Sequence, residues 1–392
     1  LAMVGANYLD DRFVIPLLLL MTLDYWVILA NAINRPLEKA ITRWYYNDAK
    51  RRLSSMPHLK IIGITGSFGK TSTKHFLYRI LSERYNVLMT PGNFNTTLGV
   101  VRTVREHLKP HHEVFIVEMG AKQRGDIKEI CDLVCPKMGI ITSVGEMHLE
   151  TFGSVENVAR TKFELIDALP EGGVGVVNID SEAAYRHLKS NNIKALTYGI
   201  ENAEAEYRAT NIAYSATETT FALSHGGRVD EGYATHILGR GNILNITAAL
   251  AIAEHLGVSV DACRRAVRQI EQVEHRLSMR SSGGITILDD AYNSNPTGAR
   301  MALEVLHDFA TEGKKYVVTP GFVEMGAKQY DNNRLFGSDI AHANPDGVFV
   351  VNEVNREAIT TGLSEGGYDS AKVATVASFQ EAMAALEPHL ET

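Results

Sequence analysis

KIIGITGSFGKT, residues 60–71, decides how this chain folds. Lys60–Thr65 is a short, β-branched apolar run of the kind buried in a parallel sheet. A glycine turn follows it, and then a helical pattern from Lys70 to about Arg84. Strand, glycine turn and helix N-terminus in that order make a cradle for phosphate. The cradle comprises Gly66, Ser67, Gly69, Lys70, Thr71 and Ser72. Its backbone N–H groups face the anion, Lys70 reaches the terminal phosphates, and the hydroxyl after it can bind Mg²⁺. The spacing departs from the strict GxxxxGK[ST] pattern, because Ile64 stands six before Lys70 and Gly63 one further back. A plain glycine turn is the bland alternative, but it leaves the adjacent Lys-Thr-Ser-Thr unexplained. Nucleotide binding is the expectation.

Working outward, Val114–Val117, Met138–Thr142 and Val174–Asn178 repeat the buried-strand signature with helical stretches between them. This predicts an α/β protein, a parallel sheet with crossover helices. A polar, Thr-rich stretch near 206–238 alternates and predicts an antiparallel appendage, and 242–257 and 259–271 read as two helices. A second αβ series begins at Ile285–Asp289, continues with Tyr316–Thr319 and Gly347–Val351, and ends in a helix from about Phe379. The expected organisation is therefore an N-terminal segment 1–56, a central ATP-binding domain 57–278 and a smaller C-terminal α/β domain 279–392, the last reading as truncated.

The N-terminal segment differs from the rest. Phe13–Ala30 reads FVIPLLLLMTLDYWVILA, interrupted only by Pro16, Thr22 and Asp24. A bilayer span needs about 20 mostly apolar residues, so this run predicts a transmembrane helix across residues 13–32. Arg35, Lys39, Arg43, Lys50, Arg51 and Arg52 follow it, which puts the downstream domains at the cytoplasmic face of the membrane. Residues 36–55 read as a basic, amphipathic helix near that surface.

Composition excludes other classes. The 392 residues carry 39 basic and 46 acidic side chains, net −7, so no global positive field favours nucleic acid. Three cysteines cannot make a disulfide framework. Cys131 and Cys135 stand at i, i+4 without a second pair, which reads as buried thiols rather than zinc ligands.

TGSFGKTST, TPGNFNTTLG, VEMGA, MHLETFGSVENVARTKFEL, GRGNILNITAALA and ILDDAYNSNP occur in that order from residue 58 onward. Together they resemble the Mur ligase family, and DDAYNSNP and VEMGA are most similar to its D-alanyl-D-alanine-adding branch. The resemblance implies a central P-loop ATPase domain followed by a Rossmann-like domain. It also implies ATP-dependent amide formation, with a muramyl-peptide-like carboxylate activated as acyl phosphate and joined to an amine such as D-alanyl-D-alanine. Two Mg²⁺ ions are implied, one at Thr71 and Glu118, the other held with His148 and Lys162, the lysine carbamylated. Such a modification needs a neutral amine, so burial or metal proximity must depress the lysine's pKa. Asn93 and Asn95 would face the reacting carboxylate and phosphate, though turn chemistry alone could explain both. Asn242 would lie near adenine, Arg276 at the phosphates, Asp290 at the ribose, and Tyr292 and Asn293 beside the nucleotide.

The chain departs from the family pattern in three places. Gly241 stands where histidine is common, and Asn332-Asn333 replaces a histidine after the GFVEMG loop at 321–326. Nothing matches the family's UDP-gripping N-terminal domain; the apolar segment takes its place. Two alternatives therefore stay open: a membrane-associated ligase for another amino-acid acceptor, of the poly-γ-glutamate type, and a non-catalytic nucleotide-binding envelope scaffold.

Overall fold

A computed structural model describes residues 23–147, 149–214, 218–272, 277–282, 284–291, 295–309 and 312–390. Its main sheet is built from β1 (Lys60–Thr65), β2 (Val87–Met89), β3 (Val114–Glu118), β4 (Met138–Ile141), β5 (Val174–Asn178), β6 (Leu196–Gly199), β7 (Tyr207–Tyr214), β8 (Thr219–His225) and β9 (Arg228–Thr235). The spatial order is β2-β3-β1-β4-β5-β6-β7-β8-β9. Pairing is parallel from β2 across to β7 and antiparallel for β7-β8 and β8-β9. The Thr-rich stretch is thus an antiparallel extension of the same sheet, joined through β6.

Side-chain alternation along the strands explains the layers. Ile62, Ile64, Val114 and Ile116 face one side, where they pack with Phe76 and Leu77 of the helix Lys70–Leu81 and with the helix Arg240–His255. Ile61, Phe115 and Val117 face the other side, against Ile127 and Ile130 of the helix Asp126–Val134 and Phe163 of the helix Val155–Asp167. Period-two alternation with both faces apolar is what a parallel sheet covered on two sides requires. The helix Arg240–His255 is nearly apolar all round, so it sits inside the core with Ile243, Ile246, Ala249 and Leu250 buried. The connection after β1 runs toward β2, whereas that after β3 runs the other way, past β1 to β4. A crevice opens there at the carboxyl ends of the strands.

Downstream, the expectation for Ile285–Asp289 needs correction. It forms β11 (Ile285–Asp289), which pairs antiparallel with β10 (Ser278–Ser282) in a separate two-stranded ribbon. Gly284 at φ 82° turns the chain straight back, so the local partner is met before any distant strand. The parallel series is instead β12 (Tyr316–Thr319), β13 (Gly347–Val351) and β14 (Val373–Val376). Its helices Gln329–Ala343 and Arg356–Glu365 pack backbone to backbone. A Cβ on Gly362 would stand 1.8 Å from the Arg334 carbonyl oxygen, and one on Gly337 2.2 Å from that of Ile359.

At the N-terminus the sequence suggests an apolar helix and then a basic one. Leu23–Ser54 is a single helix that carries Pro36 within it. Residues 13–22 of the apolar run lie outside the described residues. Among the described residues, no helix is long and apolar enough to cross a membrane. Val27 to Trp44 is exposed throughout, whereas Ala49 and Leu53 enter the core beneath the helix Thr97–Glu106. Asp48 ties the two helices, its Oδ2 lying 3.0 Å from Arg105 Nε.

Candidate active site

The turn after β1 is clamped from β4. The Ser67 amide donates to the Ser143 carbonyl at 2.8 Å, the Phe68 amide to Ser143 Oγ at 2.9 Å and the Gly145 amide to Ser67 Oγ at 3.0 Å. The approach is so close that a Cβ on Gly66 would fall 2.0 Å from Thr142 Oγ1. The helix Lys70–Leu81 then starts from Gly69, at φ 82°, with no side-chain cap and no acidic residue in its first turn. Its first N–H groups are therefore presented to the crevice without a competing carboxylate, the arrangement that receives phosphate. Lys70 Nζ donates to the carbonyls of Gly66 and Ser67 at 2.7 and 3.1 Å, within its own loop.

Glu118 ends β3 in register with Ile64, so it arrives at the same edge. Its side chain is buried. Oε1 accepts from Thr71 Oγ1 at 3.2 Å and from Asn95 Nδ2 at 3.3 Å, and the Glu118 amide donates to Thr90 Oγ1 at 3.1 Å. Burial pushes this carboxyl up, but the charges of Lys74 and Lys70 and the hydrogen bonds from Lys74 and Asn95 outweigh it, leaving it below its ordinary value. Asn95 is fixed in turn, its amide donating to the Asn93 carbonyl and its carbonyl accepting from Gly120, both at 2.7 Å. The structure thus brings Lys70, Thr71, Asn95 and Glu118 together, with Asn93 in the adjoining turn.

A Thr hydroxyl beside a buried carboxylate is an all-oxygen pair. It fits a hard cation that keeps waters and shares phosphate oxygens, as Mg²⁺ does. Among the described residues, no group of three or more His, Cys, Asp or Glu side chains is placed to cage a metal.

Lys162, on the helix Val155–Asp167, is 4% exposed. Burial first, and then the charge of Lys70, depress its pKa to about 7, with Asp126 and Glu164 opposing. Glu164 is otherwise engaged, accepting from the Gly125 and Lys128 amides at 2.8 and 2.9 Å at the start of the helix Asp126–Val134. His148, Arg276, Tyr292 and Asn293 lie outside the described residues.

A cleft of about 890 Å³ runs from the phosphate loop along the inner helix, lined by Phe68, Gly69, Ser72, Asn242, Asn245 and Asp290 among others. Gly239 caps the helix Arg240–His255, and Asn242 in its first turn donates from Nδ2 to the Leu238 carbonyl at 2.9 Å. Asp290 Oδ1 accepts from the Leu277 amide at 3.1 Å, bringing the ribbon against the cleft. Gly241 faces Met301 of the helix Pro296–Asp308, whose Sδ would be 2.3 Å from a Cβ there. The GFVEMG loop is pinned by the buried Asn333, which accepts from the Phe322 amide at 2.8 Å and donates to the Phe322 carbonyl at 3.0 Å. Asn332 Nδ2 and Lys328 both reach across to Glu146.

Sequence reasoning missed Asn245, one turn after Asn242 on the same helix face, and Lys74, one turn after Lys70; i, i+3 and i, i+4 spacing was the available signal. It also took both Cys131 and Cys135 as buried. Cys135 is exposed at the helix end, in left-handed conformation at φ 50°.

Residues 64–253 match the Mur ligase middle domain and residues 275–392 the Mur ligase glutamate ligase domain. UDP-N-acetylmuramoyl-tripeptide--D-alanyl-D-alanine ligase of Bacillus subtilis is 30% identical over 74% of this chain and 62% of its own length. The Escherichia coli enzyme of the same name is 30% identical over 81% of this chain and 70% of its own length. The chain therefore spans less than two thirds of the Bacillus relative. Crystal structures of MurF from Acinetobacter baumannii (TM-score 0.79) and of MurF ligase from Thermotoga maritima in complex with ADP (0.76) are each 27% identical and superpose over 88% of this chain. They are covered to 74% and 76% respectively.

Proposed function

This chain belongs to the Mur ligase family, and from that premise we propose that it is an ATP-dependent, ADP-forming acid–amino-acid ligase of peptidoglycan precursor synthesis. In this reading a muramyl-tripeptide carboxylate attacks the γ-phosphorus of ATP, giving an acyl phosphate and ADP. The amine of D-alanyl-D-alanine then attacks the acyl carbon, phosphate leaves, and an amide forms. The observation that carries the reading is the convergence of Lys70, Thr71, Asn95 and Glu118 at an uncapped helix N-terminus.

The chain's own residues have definable tasks. The amides at Gly69–Ser72 orient the phosphates, and Lys70 leaves the carbonyls of Gly66 and Ser67 to follow the charge that develops on the transferred group. Asn93 and Asn95 hold the acyl and phosphoryl oxygens in line. Asn242, Asp290, Tyr292 and Asn293 hold the nucleoside, and Arg276 its phosphates. Thr71 and Glu118 would hold one Mg²⁺, and His148 with a carbamylated Lys162 a second, each neutralising phosphate charge. The amine of Lys162, with a pKa near 7, is available in neutral form for carbamylation. The domain division at 57–278 and 279–392 and a membrane site for the reaction belong to the same proposal. The latter is supported by the apolar run Phe13–Ala30 and the basic residues after it.

The test is stoichiometric ADP release measured with each substrate alone and with both. Release that requires the UDP-muramyl tripeptide and D-alanyl-D-alanine together supports the reading. Release with a different amine revises the acceptor. Tight ATP binding with no ADP for any carboxylate–amine pair overturns it in favour of a scaffold. Retention of the full chain by membranes through a high-salt wash tests the membrane site.

A further inference from the structure

Lys74 is a lysine with no solvent exposure. It sits one helical turn beyond Lys70 on the helix Lys70–Leu81. Its Nζ donates to the Gly92 carbonyl at 2.7 Å and lies 2.9 Å from Glu118 Oε2. Burying an ammonium is costly unless it is both paired and hydrogen-bonded, and here it is both. The Gly92 carbonyl belongs to the turn that leads into Asn93 and Asn95. One cation therefore joins three pieces of the site: the phosphate-binding helix, the asparagine turn and the carboxylate at the end of β3.

The two oxygens of Glu118 are thereby divided. Oε2 faces the Lys74 ammonium as an ion pair, and Oε1 is left toward Thr71 Oγ1 and Asn95 Nδ2. The charges are divided too. With Lys74 against it and Lys70 near it, the Glu118 carboxylate is already compensated before any ligand arrives. A bare divalent cation gains little from a carboxylate with an ammonium 2.9 Å away. A cation that arrives with a polyphosphate brings its own counter-charge.

We propose that Lys74 is a positioning residue that turns Glu118 Oε1 toward Thr71 and cancels the carboxylate's charge, so that a divalent cation is held only together with a polyphosphate. The proposal rests on the nucleotide-site reading above. It assigns a function to a residue that ordinary expectation would leave on the surface.

Mn²⁺ binding to the full chain, read by electron paramagnetic resonance with and without ADP, tests it. Removing a unit charge within contact distance of a binding group changes its cation affinity by about tenfold or more. Lys74→Met is therefore expected to bind Mn²⁺ without nucleotide at least about tenfold more tightly than the parent chain. The factor by which ADP strengthens Mn²⁺ binding should shrink correspondingly. Lys74→Arg, which keeps the charge, should resemble the parent, and Lys74→Met combined with Glu118→Gln should lose the gain. If Lys74→Met fails to fold, Lys74→Gln, whose amide can still donate to Gly92, is read in its place. Unchanged nucleotide-free affinity in a folded Lys74→Met or Lys74→Gln variant overturns the proposal, as does tight nucleotide-free Mn²⁺ binding by the parent. A parent that binds ADP normally while the variants show no gain sinks this proposal alone; a parent that binds no ADP sinks the nucleotide-site reading with it.

Discussion

Lys162 has a consequence that is independent of catalysis. Its folded pKa of about 7 lies below the ordinary lysine value of 10.5. Between these values the unfolded chain binds a proton that the folded chain does not. Stability therefore rises with pH across that window and is flat, on this account, below about 7. Lys162→Met should raise the urea midpoint most near pH 7, with the advantage fading toward about pH 10; a constant difference across that range would refute the buried amine. Thr71 was legible in the sequence because it adjoins a local motif, and Glu118 because it ends a strand whose apolar run is unmistakable. Lys74 and Asn245 were only faintly legible: helical spacing sets them on the faces of Lys70 and Asn242, but a lysine or asparagine on a helix defaults to solvent. The tertiary neighbours, Glu118 and the Gly92 carbonyl in one case and the cleft in the other, decide against that default.

Elements were legible where period and length agreed. The turn before Lys70, the helix that follows it and the buried runs of β1, β3, β4 and β5 all read directly from alternation and glycine placement. The Ile285–Asp289 strand also read correctly as a strand, but its partner did not. A strand's pattern reports which faces are apolar and says nothing of which neighbour it meets. The contact of the helices Gln329–Ala343 and Arg356–Glu365 is another feature invisible to periodicity, since glycine contributes no apolar signal. Gly362→Ala would drive a methyl into the Arg334 carbonyl and force the two helices apart. The expected loss is about 1–3 kcal/mol in denaturant unfolding, and a midpoint equal to the parent's would refute the close packing.

Among the described residues, the nine-stranded sheet with its helices and the helix Pro296–Asp308 face each other across the cleft described above. Met301, on the helix Pro296–Asp308, fills the space beside Gly241, and Lys328 and Asn332 reach Glu146. The small residue at position 241 therefore has a steric counterpart: the room beside it is occupied by Met301. Gly241→His should displace Met301, weaken ATP binding several-fold and increase the radius of gyration measured by small-angle scattering; an unchanged ATP affinity would refute the role given to that contact. The same geometry has a thermodynamic corollary. The cleft takes walls from several parts of the chain, Phe68 and Asn242 beside the main sheet, Asp290 after the ribbon and Met301 on the helix Pro296–Asp308. A molecule lodged between them acts as a removable cross-link. Whatever factor the juxtaposition of these walls contributes to holding that molecule, the molecule returns by holding the walls together. A change far from the cleft that loosens the joint must then weaken the binding of whatever the cleft contains.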